Sequence, residues 1–174
     1  MNIVPLPEPF NVAPFYTTAA STIPLPVKEA SIEQWLEAAP FAIDIAASIG
    51  VDHVAVYQAP YVEMKKVFTW WEDYQKPIQA AFSRDDKEAA ERPMQLATSA
   101  LISLLYWIER RTVPSLVQWQ EHIEERVVCP FNAKERLHFI ATRPRHYASF
   151  IQLNQLYKEL AKSFAAYIAK QKHA

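Results

Sequence analysis

Hydrophobic residues recur every three or four positions over most of the chain beyond residue 60, as they do on one face of an α-helix. Residues 61–82 and 150–168 each place their apolar side chains on one face, and the second run carries lysines on the other. Residues 97–108 are apolar almost all round, which predicts the most central helix. A narrower stripe at 116–127 predicts one more. The pattern predicts an all-α fold, an orthogonal or antiparallel bundle of about six to seven helices.

Thirteen prolines punctuate this pattern. Six fall in the first 26 residues, where Pro prevents a continuous helix because it lacks the backbone N–H and clashes with the preceding turn. We therefore predict that residues 1–27 form an extended, Pro-rich N-terminal arm packed on the body, and that residues 28–174 form a single helical domain. The other seven are expected mostly at helix starts, except that Pro77 should kink or split the 61–82 run. They are Pro40, Pro60, Pro77, Pro93, Pro114, Pro130 and Pro144.

Three pairs of polar residues have the spacing or position of helix N-caps. They are Ser31 with Gln34, Asp85 with Asp86, and Asn132 with Glu135. The first and third are candidate capping boxes, and the acidic pair is placed to cap the short segment Lys87–Glu91. Helices are therefore expected to begin near residues 32, 87 and 133.

The counts of glycine and cysteine exclude several classes of protein. Gly occurs once, at Gly50, so the Gly-rich phosphate loops of nucleotide-binding α/β folds are ruled out. Cys also occurs once, at Cys129, so no intrachain disulfide can form, which suits a reducing compartment. The first residues lack the basic and apolar segments of a signal peptide, and no run approaches the ~20 apolar residues of a membrane span. We expect a cytoplasmic protein with no membrane span.

Charge is distributed unevenly along the chain. Residues 1–60 hold one Lys against six acidic residues, whereas residues 130–174 hold eight Lys or Arg against two. The densest polar cluster spans the predicted helix from residue 132 and the turn after it, and it includes aromatic residues. The cluster includes His138, and its candidate anion- or partner-binding residues are Lys134, Arg136, Arg143, Arg145, His146 and Tyr147. The competing interpretation is a solvated basic edge that balances the acidic half of the same chain. Glu109, on the central segment, is expected to need a partner, with Arg136 as one candidate.

Candidate chemistry is sparse. Glu135 and His138 have the E-x-x-H spacing of a di-iron ligand pair, but that site needs a second such motif, and His122 with Glu125 has the reverse order. His122, Glu135 and His138 are the metal candidates, against the alternative that Glu135 caps a helix and His138 faces solvent. Cys129 could act as a nucleophile only with a lowered pKa, and a buried or linker role is the alternative. We predict no catalytic residues and no cofactor.

The segment that starts at Pro130 resembles the C-terminal part of the YpoC-like family, small helical proteins of low-GC Gram-positive bacteria. The matching residues are Asn132, Glu135-Arg136-Leu137, Phe139-Ile140, Arg143-Pro144, His146-Tyr147, Ser149-Phe150 and Gln152-Leu153. Trp107 and Trp119 also match, and the general layout agrees over residues 57–165. Cys129 stands where the family pattern suggests a basic residue. The resemblance implies a helical fold, and it implies no catalytic residues because none are assigned in the family.

Three functions are compatible with these features. The first is a non-enzymatic interaction or accessory protein that binds an unknown protein partner through the basic C-terminal surface. The second is a nucleic-acid-associated accessory protein that uses the same cluster, although a pI near 6.5 is unusual for that class. The third is a metal-dependent helical-bundle enzyme built on His122, Glu135 and His138. The sequence leans away from an enzyme and leaves homodimerisation open.

Overall fold

The computed structural model describes residues 1–17 and 19–173 and shows the predicted mostly helical bundle. Within these residues the regular elements are two short strands, six α-helices and two 3₁₀ helices. They are β1 (Asn2–Pro5), β2 (Thr22–Leu25), α1 (Ile32–Ala38), α2 (Ala42–Ser48), α3 (Tyr61–Ser83), α4 (Lys87–Trp107), α5 (Ala133–Thr142), α6 (Tyr147–Lys172), and the 3₁₀ helices Glu8–Phe10 and Trp119–Glu125. Among the described residues, no helix combines the length and the apolar character that crossing a bilayer requires.

Helix α4 is the centre of the bundle, as its all-round apolar pattern predicts. Every residue from 96 to 107 is buried. Helices α3 and α6 pack against it and against each other: the Tyr157 hydroxyl of α6 donates a 2.6 Å hydrogen bond to the Ala97 carbonyl of α4. The indole of Trp71 on α3 stacks on the Tyr157 ring with centroids 4.5 Å apart. These aromatic contacts bury large apolar areas, which is the main source of stability in such a core.

The first 27 residues do not form the extended arm that their prolines suggest. Strand β1 pairs antiparallel with β2, so this segment folds back on itself as a strand–loop–strand unit. A two-stranded sheet has only edge strands, and Pro5 and Pro24 are tolerated there because an edge can lack some N–H donors. The loop between the strands buries Phe10 and Phe15 in the same apolar core as the helices. The expected packing on the body is therefore present, but the extended arm is not.

Four of the seven spaced prolines lie just before a helix, as predicted. They are Pro40, Pro60, Pro130 and Pro144. The predicted helix start is wrong for Pro93, which lies inside α4, and for Pro114, which is followed only by the 3₁₀ helix Trp119–Glu125. Pro77 lies inside α3, so it does not split the 61–82 run. The predicted helix at 116–127 is accordingly a 3₁₀ segment within an irregular stretch.

Tertiary packing explains why α3 and α4 continue through proline. An interior Pro costs roughly 3 kcal/mol because one hydrogen bond is lost and the ring clashes with the turn before it. Full burial of one large apolar side chain stabilises the folded state by about 1.5–3 kcal/mol. Trp71 and Ile78 flank Pro77 at 2% and 1% exposure, and Ala90 and Met94 flank Pro93 with no exposure. Burial on both sides therefore outweighs the local cost.

Two of the three predicted caps are confirmed. Ser31 and Gln34 form a reciprocal capping box at α1, with hydrogen bonds of 3.3 and 2.9 Å. Asp86 accepts a 3.2 Å hydrogen bond from the Ala89 N–H at the start of α4. The box at Asn132 is wrong: Asn132 has φ of 53°, and its side chain caps nothing. An N-cap side chain reaches the third helical N–H from an extended backbone, whereas Asn132 adopts the left-handed conformation that Asn tolerates.

The buried carboxylate of Asp44 ties three parts of the chain together. Its Oδ2 accepts a 2.6 Å hydrogen bond from the Ser103 hydroxyl, and its Oδ1 accepts bonds from the Trp107 indole N–H at 3.0 Å and the Val113 N–H at 2.8 Å. Asp44 lies on α2, Ser103 and Trp107 lie on α4, and Val113 lies on the segment after α4. Burial raises the pKa of Asp44 from 3.8 to about 6, although these hydrogen bonds act to lower it.

Replacing Asp44 with Ala should destabilise the protein strongly. The substitution leaves the three donors without an acceptor, and each unsatisfied buried group costs about 1–3 kcal/mol. We expect the free energy of unfolding in urea, followed by circular dichroism, to fall by roughly 3–6 kcal/mol. The control is Asp52→Ala, at an exposed carboxylate nearby in sequence, which should change stability by less than about 0.5 kcal/mol. Equal effects of the two substitutions would contradict the role of Asp44.

Asp44 should also make stability depend on pH. Its folded pKa of about 6 lies above the unfolded value of 3.8, so the folded state holds the proton more tightly. This tighter proton binding contributes to the free energy of unfolding in full below about pH 4. The contribution, on the order of 3 kcal/mol, is lost as the pH rises through 6. In Asp44→Asn, Oδ1 keeps the bonds from Trp107 and Val113, and the amide donates to Ser103. The wild-type unfolding free energy minus that of Asp44→Asn should therefore fall between pH 4 and 8, and parallel profiles would contradict this assignment.

Candidate partner-binding surface

Three cations of the predicted basic cluster are paired within the molecule. Lys134 lies 3.0 Å from Glu121, Arg136 forms a two-pronged pair with Glu159 at 2.8 and 2.9 Å, and Arg145 lies 2.6 Å from Glu91. The hydrogen bond from Arg136 holds the pKa of Glu159 below its ordinary value. Lys134, Arg136 and Arg145 therefore join elements of the fold, and they do not form a free cationic patch with the rest of the cluster.

Arg143, His146 and Tyr147 occupy the turn that leads into α6, and all three are exposed. The guanidinium of Arg143 lies over the Phe139 ring, 4.7 Å from its centroid, and it has no acidic partner within the described residues. His146 precedes the first turn of α6, and the Tyr147 ring packs against Phe150 with centroids 5.9 Å apart. This turn is the part of the predicted cluster that keeps an uncompensated positive charge.

The positive surface continues along one side of α6, which we call the α6 outer face. Residues spaced three or four apart along a helix share one face. The exposed residues with this spacing are Tyr147, Ile151, Gln155, Lys158, Lys162, Ala165, Ala169 and Lys172. Over the part of the chain that the structure describes, none of these lysines has an ion pair. The sequence pattern predicts Lys158, Lys162 and Lys170 on the polar side of this helix, but these lysines were not in the candidate cluster, and Lys170 does not share the spacing of this face.

Phe131 is joined to α6 through Arg136 and was missed as a candidate. Its side chain is 83% exposed, the highest value among the large apolar residues. Arg136 fixes its position: the guanidinium that pairs with Glu159 of α6 also donates a 3.0 Å hydrogen bond to the Phe131 carbonyl. Gln152 accepts a further 3.1 Å hydrogen bond from the Arg136 Nε. In the sequence, the one sign that Phe131 could be exposed is its place between Pro130 and Asn132, which are residues typical of turns.

The three metal candidates are not brought together. His122 pairs with Glu125 at 3.5 Å, and His138 lies 3.4 Å from Gln120 across a cleft of about 420 Å³. Glu135 lines the same cleft, which the ion pair of Lys134 crosses. In residues 1–17 and 19–173 no group of three or more His, Cys, Asp or Glu side chains has a metal-binding arrangement. The charged residues that line the cleft are Glu121, Lys134 and Glu135, and the first two form an ion pair.

The partner predicted for Glu109 is wrong. Glu109 pairs with Arg126 at 3.4 Å and accepts a 3.0 Å hydrogen bond from the Val127 N–H, while Arg136 pairs with Glu159. The Arg126 guanidinium also lies 4.4 Å from the centroid of the Tyr106 ring. This partly buried network fastens the irregular stretch after α4 to the end of that helix, which is a structural role.

Cys129 and Asp44 also have shifted pKa values, which could suggest a catalytic role. Burial raises the pKa of the Cys129 thiol, so the group is held in its unreactive form. Asp44 has no exposure, and the adjoining cavity of about 10 Å³ has room for roughly one water molecule. The Cys129 thiol is therefore not activated, and the Asp44 carboxylate is not accessible to a substrate.

Comparison with known proteins agrees with the resemblance seen in the sequence. The model of the family described as YpoC-like protein matches residues 62–172, which include α3 to α6 almost entirely. A relative described as uncharacterised protein YpoC, from Bacillus subtilis (strain 168), is 32% identical over 104 residues. That match covers 59% of this chain and 63% of the relative, so the chain spans less than two thirds of the relative's length. No solved structure matches the chain. The family match over more than half of its length shows that this chain belongs to the YpoC-like family.

Proposed function

We propose that this protein is a non-enzymatic interaction protein of the cytoplasm. It binds a partner protein through a basic C-terminal surface made of the Arg143–Tyr147 turn and the α6 outer face. One observation carries the proposal: along this surface, positive side chains of the described residues lack acidic partners, whereas Lys134, Arg136 and Arg145 nearby have them.

In this proposal the paired cations stabilise the fold, and the unpaired cations form the binding surface. Exposed ion pairs contribute about 0–1 kcal/mol each to stability, so the folded state gains little by holding lysines unpaired on one face. Uncompensated positive charge does increase the rate at which an anionic partner meets the correct face. The arrangement is therefore better explained by association than by stability.

The rest of the protein favours a protein partner over a nucleic acid. Residues 1–60 carry five more negative than positive charges, and the whole chain has a net charge of −1. Long polyanions extend past a single helix and would be repelled by the acidic half of the molecule. An anionic patch on a protein can contact the basic surface without extending to the acidic part of the molecule.

Reversing charge on this surface should abolish partner binding. Arg143→Glu/Lys158→Glu changes two exposed positions, and Lys28→Glu/Lys65→Glu makes the same change in net charge at exposed positions outside the surface. Affinity capture from the native cytoplasm, with quantitative mass spectrometry, should show a protein that wild type and the control retain. The surface variant should retain roughly tenfold less, because mutated charges at an interface cost about 1.4 kcal/mol or more in total.

Nuclease treatment and salt distinguish the outcomes of this capture experiment. Binding to the surface should weaken at high salt and survive nuclease, because the partner is a protein that meets exposed charges. Loss of the retained material on nuclease treatment would favour nucleic-acid association. Equal retention by the two charge variants, or no specific protein at all, would contradict the proposal.

A further inference from the structure

The α6 outer face has the length of a binding site for another helix. Helix α6 has 26 residues, which at 1.5 Å per residue gives a length of about 39 Å. Lys158 and Lys162 are one turn apart, about 6 Å along the axis, and Lys172 follows on the same side. Within the described residues this side of α6 is covered by no other element, so its charged positions are open to a partner.

Small side chains lie between Lys162 and Lys172 on this face. Ala165 and Ala169 are exposed and lie on the same side as Lys162 and Lys172, with exposed Ala166 beside them. Small side chains allow a second backbone to approach a helix closely, while long lysine stems at the edges can cover apolar surface and keep their charges in water. This combination fits a rod-shaped partner with acidic side chains better than a flat or bulky one.

Phe131 is an exposed apolar side chain on a loop that Arg136 joins to Glu159, the α6 residue that follows Lys158. Residues that dominate binding energy are commonly large apolar or aromatic side chains held in place before binding. The Phe131 ring is almost fully exposed, yet its backbone is fixed through Arg136 to Glu159 and Gln152 of α6. The cost of ordering this loop is therefore met by the fold and not by the binding event.

From these features we infer that the α6 outer face binds an acidic α-helix of a partner protein, with Phe131 inserted between apolar side chains of that helix. The inference rests on the proposed function and adds the chemistry of the partner. Acidic residues four positions apart on the partner helix match the spacing of Lys158 and Lys162. A lipid surface fits less well, because Ile151 is the only large aliphatic residue on this face, and membrane-binding helices carry several.

Site-specific photocrosslinking tests this inference in the full chain. p-Benzoylphenylalanine replaces Ala165 on the α6 outer face or, as a matched control, Ala80, an exposed alanine on α3. After irradiation in native cytoplasm, the crosslinked segment is identified by mass spectrometry. We expect an adduct at position 165 and not at position 80, to a protein segment that is net acidic and helical.

Two substitutions should each reduce the yield at position 165 about tenfold, the change that 1.4 kcal/mol produces. They are Lys158→Glu/Lys162→Glu, which reverses the charge of the face, and Phe131→Ala, which removes the exposed apolar side chain. Because the Phe131 side chain is 83% exposed, Phe131→Ala should fold normally, and its thermal unfolding midpoint checks this directly. A yield unaffected by either substitution would overturn the inference.

The remaining outcomes are equally decisive. An adduct that nuclease degrades, an adduct to lipid, or an adduct to a protein segment that is not acidic would overturn the inference, as would the absence of any adduct at position 165. A partner that is captured in a charge-dependent manner but is not crosslinked from position 165 would overturn this inference alone. Failure of both experiments would remove the proposed function as well.

Discussion

The position of α2 and of the segment after α4 depends on the buried carboxylate of Asp44. Three donors from two places in the chain converge on its two oxygens, and no cation compensates its charge in the contacts that hold it. A buried carboxylate is expensive unless its oxygens are satisfied, so the donors must be held in place together. This requirement fixes α2 on the central helix α4 and returns the chain beyond α4 to the same point. The irregular stretch 108–132, which has no long helix of its own, is thereby given a defined starting position.

That stretch is held further along by ion pairs, and two cations of the basic cluster form pairs in the same region. Arg126 binds Glu109, Lys134 binds Glu121, and Arg136 binds Glu159. Each pair joins the irregular stretch or the short helix α5 to a neighbouring element. Cations that look like a binding patch in the sequence therefore belong largely to the scaffold. The unpaired positive charges of the candidate surface are Arg143, in the turn before α6, and the exposed lysines of α6, a long helix whose apolar face is anchored in the core.

Periodicity was sufficient to predict the long helices and the central place of α4, because burial of an apolar face dominates their stability. It was insufficient where a local preference competes with packing. Pro77 and Pro93 should interrupt helices on local grounds, but buried neighbours such as Trp71 and Met94 outweigh that cost. The strands Asn2–Pro5 and Thr22–Leu25 lie 17 or more residues apart and contain proline, so neither carries a recognisable strand pattern by itself. The cap predicted at Asn132 failed because spacing does not report backbone conformation.

The candidate surface was only partly predictable for a related reason. A sequence identifies cations, but whether a cation is free depends on acids that are distant along the chain: Arg145 meets Glu91 across 54 positions and Arg136 meets Glu159 across 23. The environment of an exposed aromatic residue also depends on distant residues. The Phe131 carbonyl accepts a hydrogen bond from the guanidinium of Arg136, which also pairs with Glu159 on α6. The unpaired lysines of α6 were visible from the start as the polar side of an amphipathic pattern. They stand out as a candidate surface because the neighbouring cations Lys134, Arg136 and Arg145 are neutralised within the molecule.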